Sequence, residues 1–176
     1  IKSREELLSV GCDIFIPAAR EGTITEENQK ILNTKLICEG ANGPLTSRAD
    51  HYLNKRGILI IPDLYANAGG VAVSYFEWVR NLSHMRFGRM EKRRKEYETT
   101  SILSVIESST GKRVSSKTKS MLNQGPTELD LVRSGLEDMM TEAYENMSII
   151  WNKNNYPTLR STAYIYSIKK LIESYK

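Results

Sequence analysis

Three short apolar runs, each closed by proline or glycine, constrain the fold of this chain more than any other feature. They cover residues 12–18, 36–38 and 58–61, and segments with helical patterns lie between them. Runs of this kind are typical of strands that are buried on both faces of a parallel sheet. Their alternation with helices predicts an open α/β sheet, in which ligands bind at the carboxyl ends of the strands.

Helix signals divide the rest of the chain. Thr46 and Ser47 are good N-cap residues before a helix that ends at Gly57, and Thr25 followed by two glutamates predicts another helix start. A long helix is predicted over residues 71–84, and residues 86–126 are expected to be polar and irregular. A capping box at Thr127 predicts a second long helix that ends near residue 154, and a last helix follows.

These signals predict three parts. Residues 1–85 form an α/β sheet, residues 86–126 form an insertion, and residues 127–176 form two C-terminal helices. The sequence has no initiator methionine and no signal peptide, so we expect it to be cut from the middle of a longer protein.

Composition argues against several other classes of protein. No apolar run approaches the roughly 18–20 residues of a membrane span. Cys12 and Cys38 lie in the strand patterns, so we expect two free, buried thiols and a reducing compartment. No metal site is expected, because there is no CxxC pair and His51 and His84 lack ligand spacing.

Polar residues on open backbone follow the predicted strands. Asn42 lies between Gly40 and Gly43, where missing side chains allow a ligand to approach closely. Asn67 precedes a helix start, where free N–H groups favour an anion or a dipole. A carboxamide donates and accepts, which suits a nicotinamide carboxamide or a ribose hydroxyl. Alternatively, both asparagines are simple turn formers. The hydroxyl of Ser74, seven residues beyond Asn67, suits a substrate carboxylate, and alternatively Ser74 is an ordinary helix serine.

An ordered series of motifs resembles the hexameric glutamate dehydrogenase family. The series is CDIFIPAA (12–19), EGANGP (39–44), PDLYANAGGV (62–71), SYFEW (74–78), VRSGL (132–136) and LRSTAY (159–164). It covers essentially the whole chain. The resemblance implies the second half of a Rossmann-like sheet, followed by long C-terminal helices with an antenna-like insertion.

The resemblance also implies roles for single residues. Asn42 and Asn67 would contact the nicotinamide end of NAD or NADP, and Ala18 would line the cofactor cleft through its backbone. Ser74 would bind the side-chain carboxylate of L-glutamate, and its hydroxyl favours glutamate over leucine. No catalytic residue is expected in this segment, because the lysine that activates water and ammonia, its partner aspartate and the glycine-rich turn should lie upstream of Ile1.

The family further implies oxidation of glutamate to 2-oxoglutarate and ammonia in a homohexamer. It suggests the mitochondrial matrix, with the cytoplasm also possible. An antenna implies cleft motion that is regulated by nucleotides. In this chain, however, Arg133 replaces a histidine, and Glu142 and Glu145 replace arginines that would bind phosphate. Acids repel a nucleotide, so we expect no GTP or ADP response.

Two other readings compete with a catalytic role. A non-catalytic truncated paralogue would act only as an assembly partner, with an open sheet edge that seeks another subunit. The basic cluster at residues 86–95 would alternatively bind nucleic acid or an acidic lipid surface. Interleaved acids and the absence of stacking aromatics make it more typical of a solvated helix face. We therefore expect neither membrane nor nucleic-acid binding.

Overall fold

The computed structural model describes residues 3–83, 89–123 and 127–175. Three strands lie in this part of the chain: β1 (Ile14–Phe15), β2 (Leu36–Cys38) and β3 (Leu59–Ile61). Its helices are α1 (Arg4–Ser9), α2 (Ser47–Lys55), α3 (Asp63–Ala66), α4 (Ala68–Ser83), α5 (Arg89–Thr110), α6 (Ser116–Asn123), α7 (Glu128–Asn154) and α8 (Leu159–Ser174).

The strands form one parallel sheet in the order β1-β2-β3. Leu36 in the central strand pairs with Ile14 on one side and with Leu59 on the other. This confirms the predicted α/β class with a parallel sheet. The first strand is much shorter than the predicted residues 12–18, since Pro17 has no N–H to donate to a ladder.

The core lies around the central strand. Apolar side chains from the strands, from α1 and α2 and from the segment before β2 pack together there, with Phe15 and Tyr52 at the margin. Its buried members are Leu8, Ile24, Leu32, Ile37, Leu45, Ala49, Leu53, Ile58 and Ile60. Helix α8 packs against α3 and β3. The carboxyl ends of β2 and β3 are thereby brought next to a helix from the far end of the chain.

Two of the predicted helix caps are confirmed. The Thr46 hydroxyl accepts the N–H of Ala49 at the start of α2. The Thr127 hydroxyl accepts the N–H of Asp130, whose carboxylate accepts the N–H of Thr127. That reciprocal pair is a capping box. A third cap, which was not predicted, lies at the start of α8, where the Thr158 hydroxyl accepts the N–H of Ser161.

The prediction of a helix start at Thr25 is wrong, because the chain forms successive turns there. The Asn28 carboxamide accepts the N–H of Thr25 at 2.9 Å and donates to the carbonyl of Thr23 at 3.0 Å. Local side-chain bonds of this kind compete with a helix for the same backbone groups. They lead the segment into a tight turn before β2.

The described residues divide into two compact units. One comprises residues 1–71 and 139–176, and the other comprises residues 72–138. Helices α5 and α6 contact each other within the second unit. The limits 1–85, 86–126 and 127–176 stay a prediction.

The expectation of an irregular segment over residues 86–126 is wrong for most of its length. Helices α5 and α6 occupy residues 89–110 and 116–123, whereas residues 84–88 and 124–126 lie outside the described part. Two hydroxyls of α5 donate to carbonyls four residues earlier, from Thr100 to Glu96 and from Ser101 to Tyr97. Polar side chains here thus bond within the helix rather than breaking it.

Both cysteines are free, as predicted, but each is only half-buried, so the expected burial is wrong. Each lies at the margin of a very short strand, where the sheet does not enclose it. Burial, together with the neighbouring charge of Glu39, raises the pKa of the Cys38 thiol, which keeps it protonated. No described helix is long and apolar enough to cross a membrane.

Two neighbouring leucines of α1 test the core. Leu8 is 1% exposed within the core cluster, whereas Leu7 is 47% exposed. We expect Leu8→Ala to lower the free energy of unfolding by about 2–5 kcal/mol, because it removes apolar contacts and leaves a cavity. Leu7→Ala should change it by less than about 0.5 kcal/mol. Urea unfolding followed by circular dichroism measures both, and equal losses would contradict this core.

Candidate functional site

A cleft of about 570 Å³ opens where the predicted binding residues lie. Its walls come from the segments that follow β1 and β2 and from the junction of α3 with α4. The lining residues are Ala18, Ala19, Arg20, Glu21, Gly40, Ala41, Asn42, Asn67, Gly70 and Val71. Three of the four predicted site residues, namely Ala18, Asn42 and Asn67, therefore line one cleft at the carboxyl edge of the sheet.

The two asparagines are bonded to each other. The Nδ2 of Asn67 donates to the Oδ1 of Asn42 at 2.6 Å. A carboxamide has two donor hydrogens and one acceptor oxygen. The amide group of Asn42 and the carbonyl oxygen of Asn67 are not used in this bond. The pair thus carries a donor on one side chain and an acceptor on its neighbour, which is the complement of another primary carboxamide.

Two glycines make the wall of the cleft possible. A Cβ on Gly40 would lie 3.0 Å from the Cβ of Ala18, so the loops after β1 and β2 approach closely only because Gly40 has no side chain. Gly43 has a φ of +51°, which non-glycine residues adopt at a cost. Together they set the path of the backbone that carries Asn42.

Backbone bonds fasten the loop after β2 to the loop after β1. The N–H of Ala41 donates to Pro17 at 2.8 Å, and the N–H of Gly22 donates to Gly43 at 2.9 Å. Further along, the N–H of Ile24 donates to Pro44 at 2.8 Å. The cleft wall is therefore fixed by the main chain, and Asn42 lies within the fastened segment.

A partly buried ionic cluster lies directly behind this wall. Glu39 directly follows β2 and is fully buried, and one of its oxygens accepts the N–H of Asp63 at 2.7 Å. Arg160 of α8 donates to three carboxylates: Nη2 to Glu39 at 2.6 Å, Nε to Asp50 at 3.0 Å and Nη1 to Asp63 at 3.0 Å. The second oxygen of Asp63 accepts the N–H of Gly43 at 2.8 Å.

Burial and pairing act in opposite directions on this cluster. Burial raises the pKa of the Glu39 carboxyl, and the hydrogen bond and charge of Arg160 partly offset that rise. Burial acts to lower the pKa of Arg160, but the bond and charge of Glu39, followed by Asp50, raise it above its ordinary value. The guanidinium therefore stays charged, as the buried carboxylate requires.

The fourth predicted residue, Ser74, lies on α4 in the second compact unit and is exposed. Arg133, Glu142 and Glu145 are exposed on α7. Within the second unit, an apolar groove of about 280 Å³ is lined by Tyr75, Phe76, Val79, Leu131, Val132 and Gly135. Within the described ranges, no group of three His, Cys, Asp or Glu side chains is arranged to hold a metal ion.

Sequence analysis missed the ionic cluster entirely. Glu39, Asp63 and Arg160 each lie within one of the family motifs, but their local sequence gives none of them a role. One signal was present: a glutamate that ends an apolar strand pattern is expected to be buried and therefore to need a cation. The local sequence does not identify that cation, since Arg160 lies 121 residues further along the chain.

Comparison with known proteins agrees with the motif series. The sequence model for Glutamate/Leucine/Phenylalanine/Valine dehydrogenases matches residues 1–125. Mitochondrial glutamate dehydrogenase of Dictyostelium discoideum is 46% identical over 96% of this chain and 34% of its own length. A probable glutamate dehydrogenase of Sinorhizobium fredii is 44% identical over 92% and 37%, respectively. This chain thus spans about a third of the length of these curated relatives.

The solved structures agree as well. Glutamate dehydrogenase from Peptoniphilus asaccharolyticus superposes with a TM-score of 0.58 at 33% identity, over 88% of this chain and 29% of that one. Relatives whose names state a cofactor are called NAD-specific in some cases and NADP-specific in others. Because the family model covers well over half of the sequence, the chain belongs to the Glutamate/Leucine/Phenylalanine/Valine dehydrogenase family.

Proposed function

We propose that this chain is the nicotinamide-side segment of a glutamate dehydrogenase, which oxidises L-glutamate to 2-oxoglutarate and ammonia with NAD or NADP. The observation that carries the proposal is the Asn42–Asn67 pair in the cleft at the sheet edge. Its unused donor and acceptor match the two polar ends of a nicotinamide carboxamide. Family membership supplies the reaction class.

The cleft fits such a cofactor in two respects. The absence of a Cβ at Gly40 keeps the wall open, and Ala18 offers a small side chain beside it. When bound, a nicotinamide ring supplies the hydride acceptor of the reaction. The two asparagines would hold the carboxamide of that ring through their unused donor and acceptor and so orient the ring for the reaction.

We propose that Ser74 donates a hydrogen bond to the side-chain carboxylate of glutamate. A carboxylate that leaves water needs compensating donors, and a hydroxyl supplies one. A leucine side chain offers no acceptor to that hydroxyl, whereas a carboxylate does, so the serine favours glutamate. The proposal leaves proton transfer to a lysine outside these 176 residues and assigns no catalytic residue to this segment.

The proposed organisation follows the family. Residues 1–85 belong to the nucleotide-binding domain, residues 86–126 form an antenna, and residues 127–176 form a pivot helix and a C-terminal helix. Exposed apolar residues on one face of α8, namely Tyr164, Ile168, Leu171 and Ile172, are each more than half exposed. Such a stripe favours contact with other subunits in a homohexamer. The mitochondrial matrix is the proposed compartment.

An assembly-only role is the second candidate, and the same apolar stripe favours it. Peptide-mapping mass spectrometry of the native protein separates the two functions. A longer chain that contains a glycine-rich turn and oxidises glutamate supports the enzyme. A native chain that begins near Ile1 excludes catalysis. The described part of the basic cluster does not favour nucleic acid, since Arg94 already pairs with Glu98 on α5.

The asparagine pair can be tested by substitution in the full-length enzyme. We expect Asn42→Ala to raise the KM for the cofactor about tenfold, because one hydrogen bond is worth roughly 1–1.5 kcal/mol. The KM for glutamate at saturating cofactor should stay within about twofold. Asn81→Ala, at an exposed position of α4, is the control. If Asn42→Ala raises the KM for glutamate and leaves the KM for the cofactor unchanged, the assignment of Asn42 to cofactor binding is wrong.

The role of Ser74 calls for two variants of almost equal shape. Ser74→Val removes the hydroxyl, whereas Ser74→Thr keeps it with the same added bulk. We expect the valine variant to raise the KM for glutamate about 10–100-fold, since hydrogen bonds to charged groups are worth roughly 1.5–3 kcal/mol. The threonine variant should retain most of the affinity. Steady-state kinetics decide, and equal effects of both variants would show that bulk is responsible.

Regulation gives a third test. Glu142 and Glu145 expose two negative charges on α7, and nucleotide phosphates are repelled by carboxylates. We propose that the enzyme keeps its cleft motion but has lost the response to GTP and ADP. Rates of glutamate oxidation should therefore change by less than about twofold at millimolar GTP or ADP. Strong inhibition by GTP would disprove this.

A further inference from the structure

Arg160 joins parts of the chain that are distant in sequence. It is the second residue of α8, and each of its three nitrogens donates to a different carboxylate. Those carboxylates lie at the end of β2, on α2 and at the start of α3. Its side chain is only 22% exposed, and that of Glu39 is fully buried. A planar guanidinium is the cation whose fixed geometry allows three such bonds at once.

Two short chains of hydrogen bonds lead from Arg160 to the asparagine pair. In the first, Asp63 accepts from Arg160 with one oxygen and from the N–H of Gly43 with the other. Gly43 directly follows Asn42. In the second, Glu39 accepts from Arg160 and from the N–H of Asp63, and the carbonyl of Asp63 accepts the N–H of Asn67 at 3.2 Å.

Charge makes a cation necessary at this position, and the three directed bonds require that the cation be an arginine. Glu39, Asp50 and Asp63 together carry three negative charges around one guanidinium. Without that cation, the carboxylates of Glu39 and Asp63 would repel each other across the N–H bond that joins them. Asp63 would then move. Because Asp63 accepts the backbone N–H groups of Gly43 and Asn67, its movement would shift the backbone on both sides of the cleft.

We propose that Arg160 is a positioning residue for nicotinamide binding, which acts through Glu39 and Asp63 to hold Asn42 and Asn67 in register. The inference rests on the proposed function of the asparagine pair. It adds a residue of the C-terminal helix to the cofactor site, although Arg160 is not among the residues that line the cleft. A change in α8 should therefore alter cofactor binding at a distance.

The test compares two ligands in the full-length enzyme. NAD(H) or NADP(H), whichever the enzyme uses, carries the nicotinamide, whereas the corresponding ADP-ribose lacks it. We expect Arg160→Lys to weaken the dinucleotide about fivefold or more and to leave ADP-ribose within about twofold, because an ammonium keeps the charge but donates from a single nitrogen and cannot reproduce three bonds made from three separate nitrogens. Isothermal titration calorimetry measures both dissociation constants.

Arg56→Lys is the matched control. Arg56 is exposed at the end of α2, and its guanidinium donates to the carbonyl of Leu32 at 3.2 Å rather than to a carboxylate. The Arg56→Lys variant should leave unchanged the ratio of the affinity for the dinucleotide to the affinity for ADP-ribose. If Arg160→Lys does not fold, Asp63→Asn carries the test, since it weakens the link to Gly43 and should lower the same ratio.

The outcomes distinguish the inference from the function beneath it. An unchanged ratio in both Arg160→Lys and Asp63→Asn, with a lowered ratio in Asn42→Ala, overturns the positioning role alone. An unchanged ratio in Asn42→Ala as well overturns the proposed function of the pair. Equal weakening of both ligands by Arg160→Lys would show a general structural role and would also overturn the inference.

Discussion

A fully buried carboxylate at the end of the central strand is the constraint on which the site depends. Glu39 must be compensated where it stands, because an unpaired charge in the interior is strongly destabilising. Its partners are a guanidinium from α8 and an N–H at the start of α3. The requirements of one side chain thus bring the C-terminal helix to the cleft wall and connect packing with ligand binding.

The glycines and the asparagines act on this fixed frame. Gly40 lets two loops approach, Gly43 turns the chain, and Asp63 holds the N–H that follows Asn42. The bond between the two carboxamides leaves the amide group of Asn42 and the carbonyl oxygen of Asn67 unused in that bond. Rigid support of this kind reduces the ordering cost of binding a planar ligand. On the proposed function, the fold would therefore favour cofactor binding by ordering the pair in advance.

Local chemistry explains what could be predicted from the sequence. Apolar runs with proline and glycine predicted the parallel sheet, and Thr46 and Thr127 marked helix starts. Long-range bonds explain what could not. The partners of Arg160 lie 97 to 121 residues away, and no periodicity encodes them. The false helix start at Thr25 came from composition, since the sequence did not show that the Asn28 side chain would take over its backbone bonds.

The central claim is that the Asn42–Asn67 pair recognises a carboxamide, and an analogue tests it most directly. Nicotinic acid adenine dinucleotide, or its phosphate if the enzyme uses NADP, replaces the carboxamide with a carboxylate and keeps the rest of the cofactor. We predict that the full-length protein binds the natural dinucleotide about tenfold or more tightly than this analogue, since the analogue has no N–H for the oxygen of Asn67. Equal affinity for the two dinucleotides would contradict the account.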